Sequence, residues 1–264
     1  MSPSANAPSA ASPLHVLQAS LRPVAPVAGV KPTLLVAGAT GALGSEVLRR
    51  LAGSGCFAQT RVLAREPITA GLAQVGIELV GGGDIAAWPL PRIPAQTGVV
   101  MFEPPRLYHD RERALWTPLP GELVTLAKWL RRCGVRTLVL VLPHAQGSLP
   151  HALRHGLASI DEQEVVALGF ERVLLVRSAQ KHAGLSGGSF FEKVARWMLS
   201  IFKYMIPSAE QPVRTVKLAE FVDAALRVMP AGVHIAGPEL LSRVVQAPNL
   251  QDGVLAWLNT EQSA

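Results

Sequence analysis

The chain has 264 residues, of which 49% are hydrophobic and 17% charged, so it can bury the core of one large α/β domain and is not a chain that is disordered throughout. No apolar run reaches the length of about 18 residues that a transmembrane helix needs, so no membrane-spanning segment is expected. The net charge of +6 is dispersed in pairs such as Arg49-Arg50 rather than gathered with aromatic residues, which argues against nucleic acid as a partner.

Residues 1–30 are rich in Ser, Pro and Ala and are predicted to form a flexible N-terminal tail. The two cysteines of the chain, Cys56 and Cys133, lack metal-ligand spacing and suit a reducing compartment. We therefore expect a cytoplasmic protein without a bound metal.

From residue 33 onward, short β-rich runs alternate with helical stretches, which predicts βαβ units on a mostly parallel sheet. The expected fold is a doubly wound Rossmann domain over residues 31–180, with a small C-terminal lobe over 181–264 that completes the same domain. A helix is predicted from Leu43 to Ala52. The predicted strands are 33–37, 60–64, 76–81, 97–103, 135–142 and 171–177.

Two connections depart from the usual pattern. The segment DIAAWPLPRIPAQ, between the third and fourth strands, contains prolines at 89, 91 and 94, so its crossover helix should be short or replaced by extended chain. The segment EPPRLYHDRERALWTPLPGE, after the fourth strand, predicts a long polar loop. Such loops at the carboxyl ends of strands often line a ligand crevice.

The stretch TLLVAGATGALGSEVLRRLAG predicts a dinucleotide site, because a strand passes through a glycine-rich turn into a helix. Gly38 suits the tight turn, Gly41 lets the backbone approach the phosphates, and Gly44 lets the helix pack close to the strand. A glycine-rich turn without a ligand is the alternative. The residues of the predicted cofactor loop are Gly38, Ala39, Thr40, Gly41, Ala42, Leu43 and Gly44.

The end of the second strand indicates the cofactor. NAD-binding folds place an acid there for the ribose 2′-hydroxyl, and NADP-binding folds place an arginine near the 2′-phosphate. Arg65 follows Ala64 here, so NADP(H) is the favoured cofactor, with NAD(H) as the other candidate. The alternative role for Arg65 is that of a surface residue at a strand end.

The motifs VAGATGALGSEVLRRL, RVLAREP and GIELVGGGDI resemble those of atypical and extended short-chain dehydrogenases, in particular the NmrA-like and Tat-interacting-protein-like NADP(H)-binding proteins. The resemblance covers roughly residues 33–180 and continues faintly through VRTVKLAEFVDAAL and HIAGPELLS, which resemble a late helix and the closing strand of the family. It implies that Asp84 and Ile85 lie beside the adenine.

The catalytic residues of that family are not matched. Active members carry a serine after the fifth strand and Tyr-x-x-x-Lys on the next helix, whereas Leu142 and Pro143 stand at the serine position here. His155 falls near the tyrosine position and Ser159 near the lysine position. His155, and Tyr108 in the long loop, are therefore weak candidates for a relocated acid, and the catalytic residues stay unknown.

Residues 189–208, SFFEKVARWMLSIFKYMIPS, predict an amphipathic helix with a wide apolar face. It fits a core helix that lines a substrate pocket, a surface for a second copy or a protein partner, or peripheral contact with a membrane. Two functions stay open for the chain. One is a cofactor-dependent regulatory or assembly module, and the other is an NADP-dependent reductase or isomerase of a small apolar carbonyl compound.

Overall fold

The computed structural model describes residues 31–68, 71, 74–106, 109–144, 160–179, 213–247 and 249–262. Within these ranges the chain forms seven β-strands and seven α-helices. The strands are β1 (Thr33–Ala37), β2 (Gln59–Ala64), β3 (Val75–Leu79), β4 (Thr97–Met101), β5 (Thr137–His144), β6 (Arg172–Ala179) and β7 (Gly232–Ala236). The helices are α1 (Gly41–Gly53), α2 (Asp110–Ala114), α3 (Leu123–Arg132), α4 (Ile160–Ala167), α5 (Thr215–Val228), α6 (Pro238–Val245) and α7 (Leu250–Gln262).

The strands form one sheet in the order β3-β2-β1-β4-β5-β6-β7, and every neighbouring pair is parallel. The chain builds outward from β1 through β2 and β3, and then returns to the other side of β1 with β4. This reversal of direction is the property of a doubly wound Rossmann fold, and it confirms the predicted fold class. Doubly wound folds bind their ligands at this point of reversal, and we call the region at the carboxyl ends of β1 and β4 the crevice.

Both faces of the sheet are covered, which explains why its central strands are almost continuously apolar. Successive side chains of β1 alternate between two cores, with Leu34 and Val36 in one and Leu35 and Ala37 in the other. The first core is closed by α1, α5, α6 and α7. The second is closed by α3, by α4 and by three tryptophans, namely Trp88, Trp116 and Trp129.

The predicted strands occur at their expected places, and β7 matches the closing strand that the resemblance implied. Several ends differ from the prediction by up to about two residues. β3 and β4 end at Leu79 and Met101 rather than at residues 81 and 103. β5 begins at residue 137 rather than 135. β5 and β6 continue to His144 and Ala179 rather than to residues 142 and 177, because the two strands pair that far. The proline-rich crossover before β4 contains one short 3₁₀ turn, Ile85–Ala87, as the prolines predicted.

Several predictions lie outside the described residues. They are the tail over 1–30, the domain boundary at 180, and the helix over 189–208. In the part of the chain that is described, no helix is both long and apolar enough to cross a membrane.

Candidate functional site

The glycine loop follows β1 at the crevice and turns into α1. Gly38 has φ +72°, and a Cβ at this position would overlap the carbonyl oxygen of Met101 at the end of β4. A Cβ at Gly44 would lie 2.8 Å from the carbonyl carbon of Ala39. Both positions are closed to a side chain, so the glycines let the loop approach the end of β4 and let α1 pack directly against the loop that follows β1.

The first turn of α1 holds two carboxylates that come from far along the chain. The Gly41 N–H donates to Glu112 Oε2 at 3.0 Å, and the Leu43 N–H donates to Glu103 Oε2 at 2.6 Å. The first turn has no acidic residue of its own. Free N–H groups and the positive dipole end of a helix attract anions, and this helix end is satisfied by Glu103 and Glu112.

The N-cap residue Thr40 is fully buried and ties the loop to the same region. Its Oγ1 donates to the Glu103 carbonyl oxygen at 2.5 Å and lies 3.0 Å from Thr117 Oγ1. Of the other loop residues, Ala39 is buried in the core and Ala42 is exposed. The loop therefore contacts the segment after β4 through both backbone and side chain.

Glu112 is the most strongly perturbed acid of the site. Its Oε2 also accepts from the Arg106 N–H at 2.9 Å, and its Oε1 accepts from the Arg106 guanidinium, with Nε at 2.8 Å. Burial alone would raise the pKa of Glu112, but the hydrogen bonds from Arg106 and from the Gly41 N–H outweigh it and lower the pKa to about 2. Glu112 is thus an anion at neutral pH.

We call residues 103–106 and 109–117 the strap. Its second half runs across the carboxyl ends of β1 and β2. The Ala114 carbonyl accepts from the Arg65 N–H at 2.8 Å. The backbone of Trp116 makes two bonds: its N–H donates to the Leu63 carbonyl at 2.9 Å, and its carbonyl accepts from the Gly38 N–H at 3.1 Å. Together with the antiparallel bridge from Ala64 to Leu115, these bonds make the strap an added piece of sheet over the crevice.

Trp116 anchors the strap in the second core. Its side chain is 5% exposed, and its ring packs edge-on against Trp88 with the centroids 4.8 Å apart. Trp88 in turn contacts Trp129 of α3. The end of the strap that bears Trp116 is therefore held by apolar packing, whereas the end that bears Glu103 and Glu112 is held by polar contacts.

The other predicted cofactor residues lie around this crevice. Arg65 directly follows β2, and its side chain is exposed. Asp84 is exposed and accepts from the Ala86 N–H at 3.0 Å, which caps the 3₁₀ turn. Ile85 is 4% exposed and lies in the same apolar cluster as Ala37 and Trp116. The strap, rather than open space, separates Arg65 from the glycine loop.

The catalytic candidates Tyr108 and His155 lie outside the described residues, as does Ser159. Leu142 is half-buried near the carboxyl end of β5, in register with Arg177 of β6. Within the described ranges, no three His, Cys, Asp or Glu side chains come together as a metal site.

The strap residues that fill the site are not predicted by the motifs of the sequence, above all Glu103, Arg106, Glu112 and Trp116. One pattern could have pointed to them. The long loop after β4 must begin at the crevice beside the glycine loop, and it carries acids, which a helix N-terminus attracts.

No family model matches the sequence, and no curated protein sequence matches it. Solved structures similar to the chain include the Bordetella bronchiseptica enzyme WbmH in complex with NAD+, with 13% identity over 81% of each chain and a TM-score of 0.41. The B. bronchiseptica enzyme WbmG in complex with NAD and UDP is 14% identical over 85% of this chain and 82% of its own, with a TM-score of 0.41.

A short-chain dehydrogenase/reductase superfamily protein from Agrobacterium tumefaciens with bound NAD is 16% identical over 78% of this chain and 77% of its own, with a TM-score of 0.40. At these identities and scores the likeness carries no argument about function. The fold assignment rests on the strand order and the two covered faces of the sheet.

Proposed function

We propose that this chain is an NADP(H)-binding Rossmann protein that acts as a cofactor-dependent regulatory or assembly module. One observation carries the proposal. The glycine loop lies at the switch point of a doubly wound sheet, and its helix end already grips anionic groups through the N–H groups of Gly41 and Leu43. These donors suit the pyrophosphate of a dinucleotide.

The backbone of the loop fits the cofactor, and the space above it is taken by the carboxylates of the strap. In the proposal, residues 38–44 hold the pyrophosphate, Arg65 reaches the 2′-phosphate, and Asp84 and Ile85 lie beside the adenine. The side chain of Arg65 is exposed to solvent, so no apolar surroundings oppose its contact with a phosphate. A bound dinucleotide would supply a nicotinamide ring that can exchange a hydride.

A regulatory role is supported by the residues at the end of β5. By the resemblance, Leu142 takes the position at which carbonyl reductases of that family carry serine, and a leucine side chain can neither orient a carbonyl nor donate a proton. Binding alone can bias a conformation without turnover, because a ligand that favours one state shifts the population towards it. Residues 189–208 are, from their sequence alone, one candidate surface for a partner or a second copy, beside the core and membrane-contact alternatives.

The proposal includes a cytoplasmic location, since neither Cys56 nor Cys133 is in a disulfide. Localisation of the tagged full-length chain by microscopy tests this part.

Calorimetric titration with NADPH and NADH tests cofactor binding. We expect the wild type to prefer NADPH, and Arg65→Ala to weaken NADPH binding by about tenfold, the effect of one lost charge-assisted contact, while NADH binding stays unchanged. Arg136→Ala is the matched control, because Arg136 is also exposed but directly precedes β5 and so lies at the amino ends of the strands, away from the glycine loop. Equal losses in both variants, or equal losses for both nucleotides, would refute the role of Arg65.

A further inference from the structure

The strap occupies the donors that a dinucleotide needs. Its two carboxylates sit on the N–H groups of Gly41 and Leu43, two residues apart in the first turn of α1. A pyrophosphate likewise presents two linked anionic groups to this turn. Glu103 and Glu112 thus stand in the place of the two phosphates, with the same donors and the same sign of charge.

The carboxylates and a pyrophosphate exclude each other. The Glu103 side chain fills the very space that the missing Cβ of Gly41 leaves free, so that a Cβ there would overlap Glu103 Cγ and Cδ. In a Rossmann crevice this is the space through which the backbone approaches the phosphates. The second half of the strap pairs with Gly38, Leu63 and Arg65, beside the path that leads from the phosphates to the end of β2.

We propose that the strap is a built-in competitor of the dinucleotide, and that NADP(H) binding displaces its carboxylate end and thereby changes the surface that the protein presents. This inference rests on the proposed function, since it names the event that couples cofactor binding to conformation. The end of the strap at Trp116 acts as the anchor, and the end with Glu103 and Glu112 moves.

At Gly41 and Leu43 the exchange keeps each N–H satisfied, because a phosphate oxygen replaces the carboxylate oxygen that leaves. Ligand concentration then shifts the chain between the closed and the bound state. Arg106 Nη2 lies 3.4 Å from Ser45 Oγ on α1, so this cation is beside the phosphate site in the closed state. When the carboxylate end of the strap is displaced, the Arg106 guanidinium loses its Glu112 partner and becomes available to an incoming anion.

The apparent dissociation constant of a ligand equals its intrinsic value divided by the fraction of protein in the open state. Weakening the strap must therefore strengthen binding. We expect Glu103→Gln/Glu112→Gln to bind NADPH at least about tenfold more tightly than the wild type, because both anions that compete for the helix end lose their charge. The probe is NADPH, titrated calorimetrically into the full-length chain.

Glu46→Gln is the control. Glu46 lies on the same helix and pairs with the exposed Arg49, outside the strap. It removes one negative charge without touching the crevice, so it reports the general attraction of a more positive protein for an anionic ligand. We expect its affinity for NADPH to equal that of the wild type, and a gain as large as that of the double variant would overturn the inference.

The outcomes separate the two proposals. Tighter binding in the double variant supports the competitor role. Equal or weaker binding in the double variant, with clear binding in the wild type, overturns the competitor role and leaves the proposed function standing. No binding of NADPH to either protein overturns both, and would show that the strap is a permanent part of the fold.

Hydrogen exchange on the wild type gives a second test that does not depend on how a variant folds. When saturating NADPH is added, peptides from the strap should exchange faster, and the N-terminal peptide of α1 should stay protected. The same titration should change tryptophan emission, since Trp116 packs on Trp88. Binding without any gain of exchange in the strap would overturn the inference.

Discussion

Neutralising Glu112 should destabilise the protein at neutral pH by an amount that its pKa sets. The pKa of this carboxyl falls from 4.5 to about 2 in the folded state. At about 1.4 kcal/mol per unit this corresponds to about 3 kcal/mol of preferential stabilisation of the charged form. Because the Arg106 side chain is 44% exposed and solvent screens the pair, we expect about 2 kcal/mol for Glu112→Gln.

The chemistry of glutamine explains why the isosteric change is not silent. Both carboxylate oxygens of Glu112 accept, one from the N–H groups of Gly41 and Arg106 and the other from the Arg106 guanidinium. A glutamine offers one oxygen, and its amide group would turn a donor towards one of these two sets of donors. The loss therefore includes an unfavourable contact as well as a missing charge.

The pH dependence of the stability difference shows whether the charge of Glu112 causes it. A lowered folded-state pKa gives stability that is fully present above about pH 4.5 and is lost as the pH falls towards about 2. Urea unfolding of wild type and Glu112→Gln, followed by tryptophan fluorescence, should show a constant difference from pH 8 to about pH 5. The difference should shrink below that range, because the wild-type carboxyl takes up its proton.

Glu46→Gln is again the control, since its partner Arg49 is at the surface and the change should leave the urea midpoint nearly unaltered. A variant of Glu112 as stable as the wild type at pH 7 would refute the reasoning. So would a difference that persists undiminished at pH 3, because a purely steric effect does not titrate.

Two substitutions at the site and one labelling experiment on the cysteines test the packing. Gly41→Ala should destabilise the protein by about 2 kcal/mol in urea unfolding, because φ is +71° and the new Cβ would overlap the Glu103 side chain. Trp116→Ala should cost about 3 kcal/mol or more in the same assay, since the side chain is 5% exposed and its removal leaves a cavity. Burial raises the pKa of Cys133 to about 12, so a thiol reagent at pH 8 should modify only the half-buried Cys56 in the native protein and both cysteines in urea.

The elements of the fold could be predicted because they depend on local pattern. Parallel strands covered on both faces need apolar residues in succession, and β1, β4 and β5 show them. The missing crossover helix before β4 follows from its prolines in the same way. Exact strand ends do not, since β5 extends to His144 only because β6 continues to pair with it as far as Ala179.

The filling of the crevice could not be predicted, because its contacts join residues far apart in sequence. Glu103 lies 60 positions from Leu43, and Glu112 lies 71 positions from Gly41. Their charges are visible in the sequence, but the amide groups that they satisfy belong to the backbone and leave no trace in residue type. In the sequence Trp116 is likewise one aromatic residue in a polar loop. Its burial depends on packing against Trp88, which belongs to the crossover between β3 and β4.

The glycine motif itself is compatible with a phosphate and with a carboxylate of the chain, which is why the sequence alone left its ligand open. Gly38 is required by the close approach of the loop to β4, and Gly44 by the close approach of α1 to the loop after β1, whatever occupies the crevice. Any anion that binds the first turn of α1 needs a glycine at position 41. A carboxylate of the chain accepts from the same N–H groups as a phosphate would, and it occupies the same space that the absence of a Cβ leaves. The free energy of displacing the carboxylate end of the strap therefore decides whether its contact with α1 is permanent or regulated. Neutralising Glu103 and Glu112 changes this free energy.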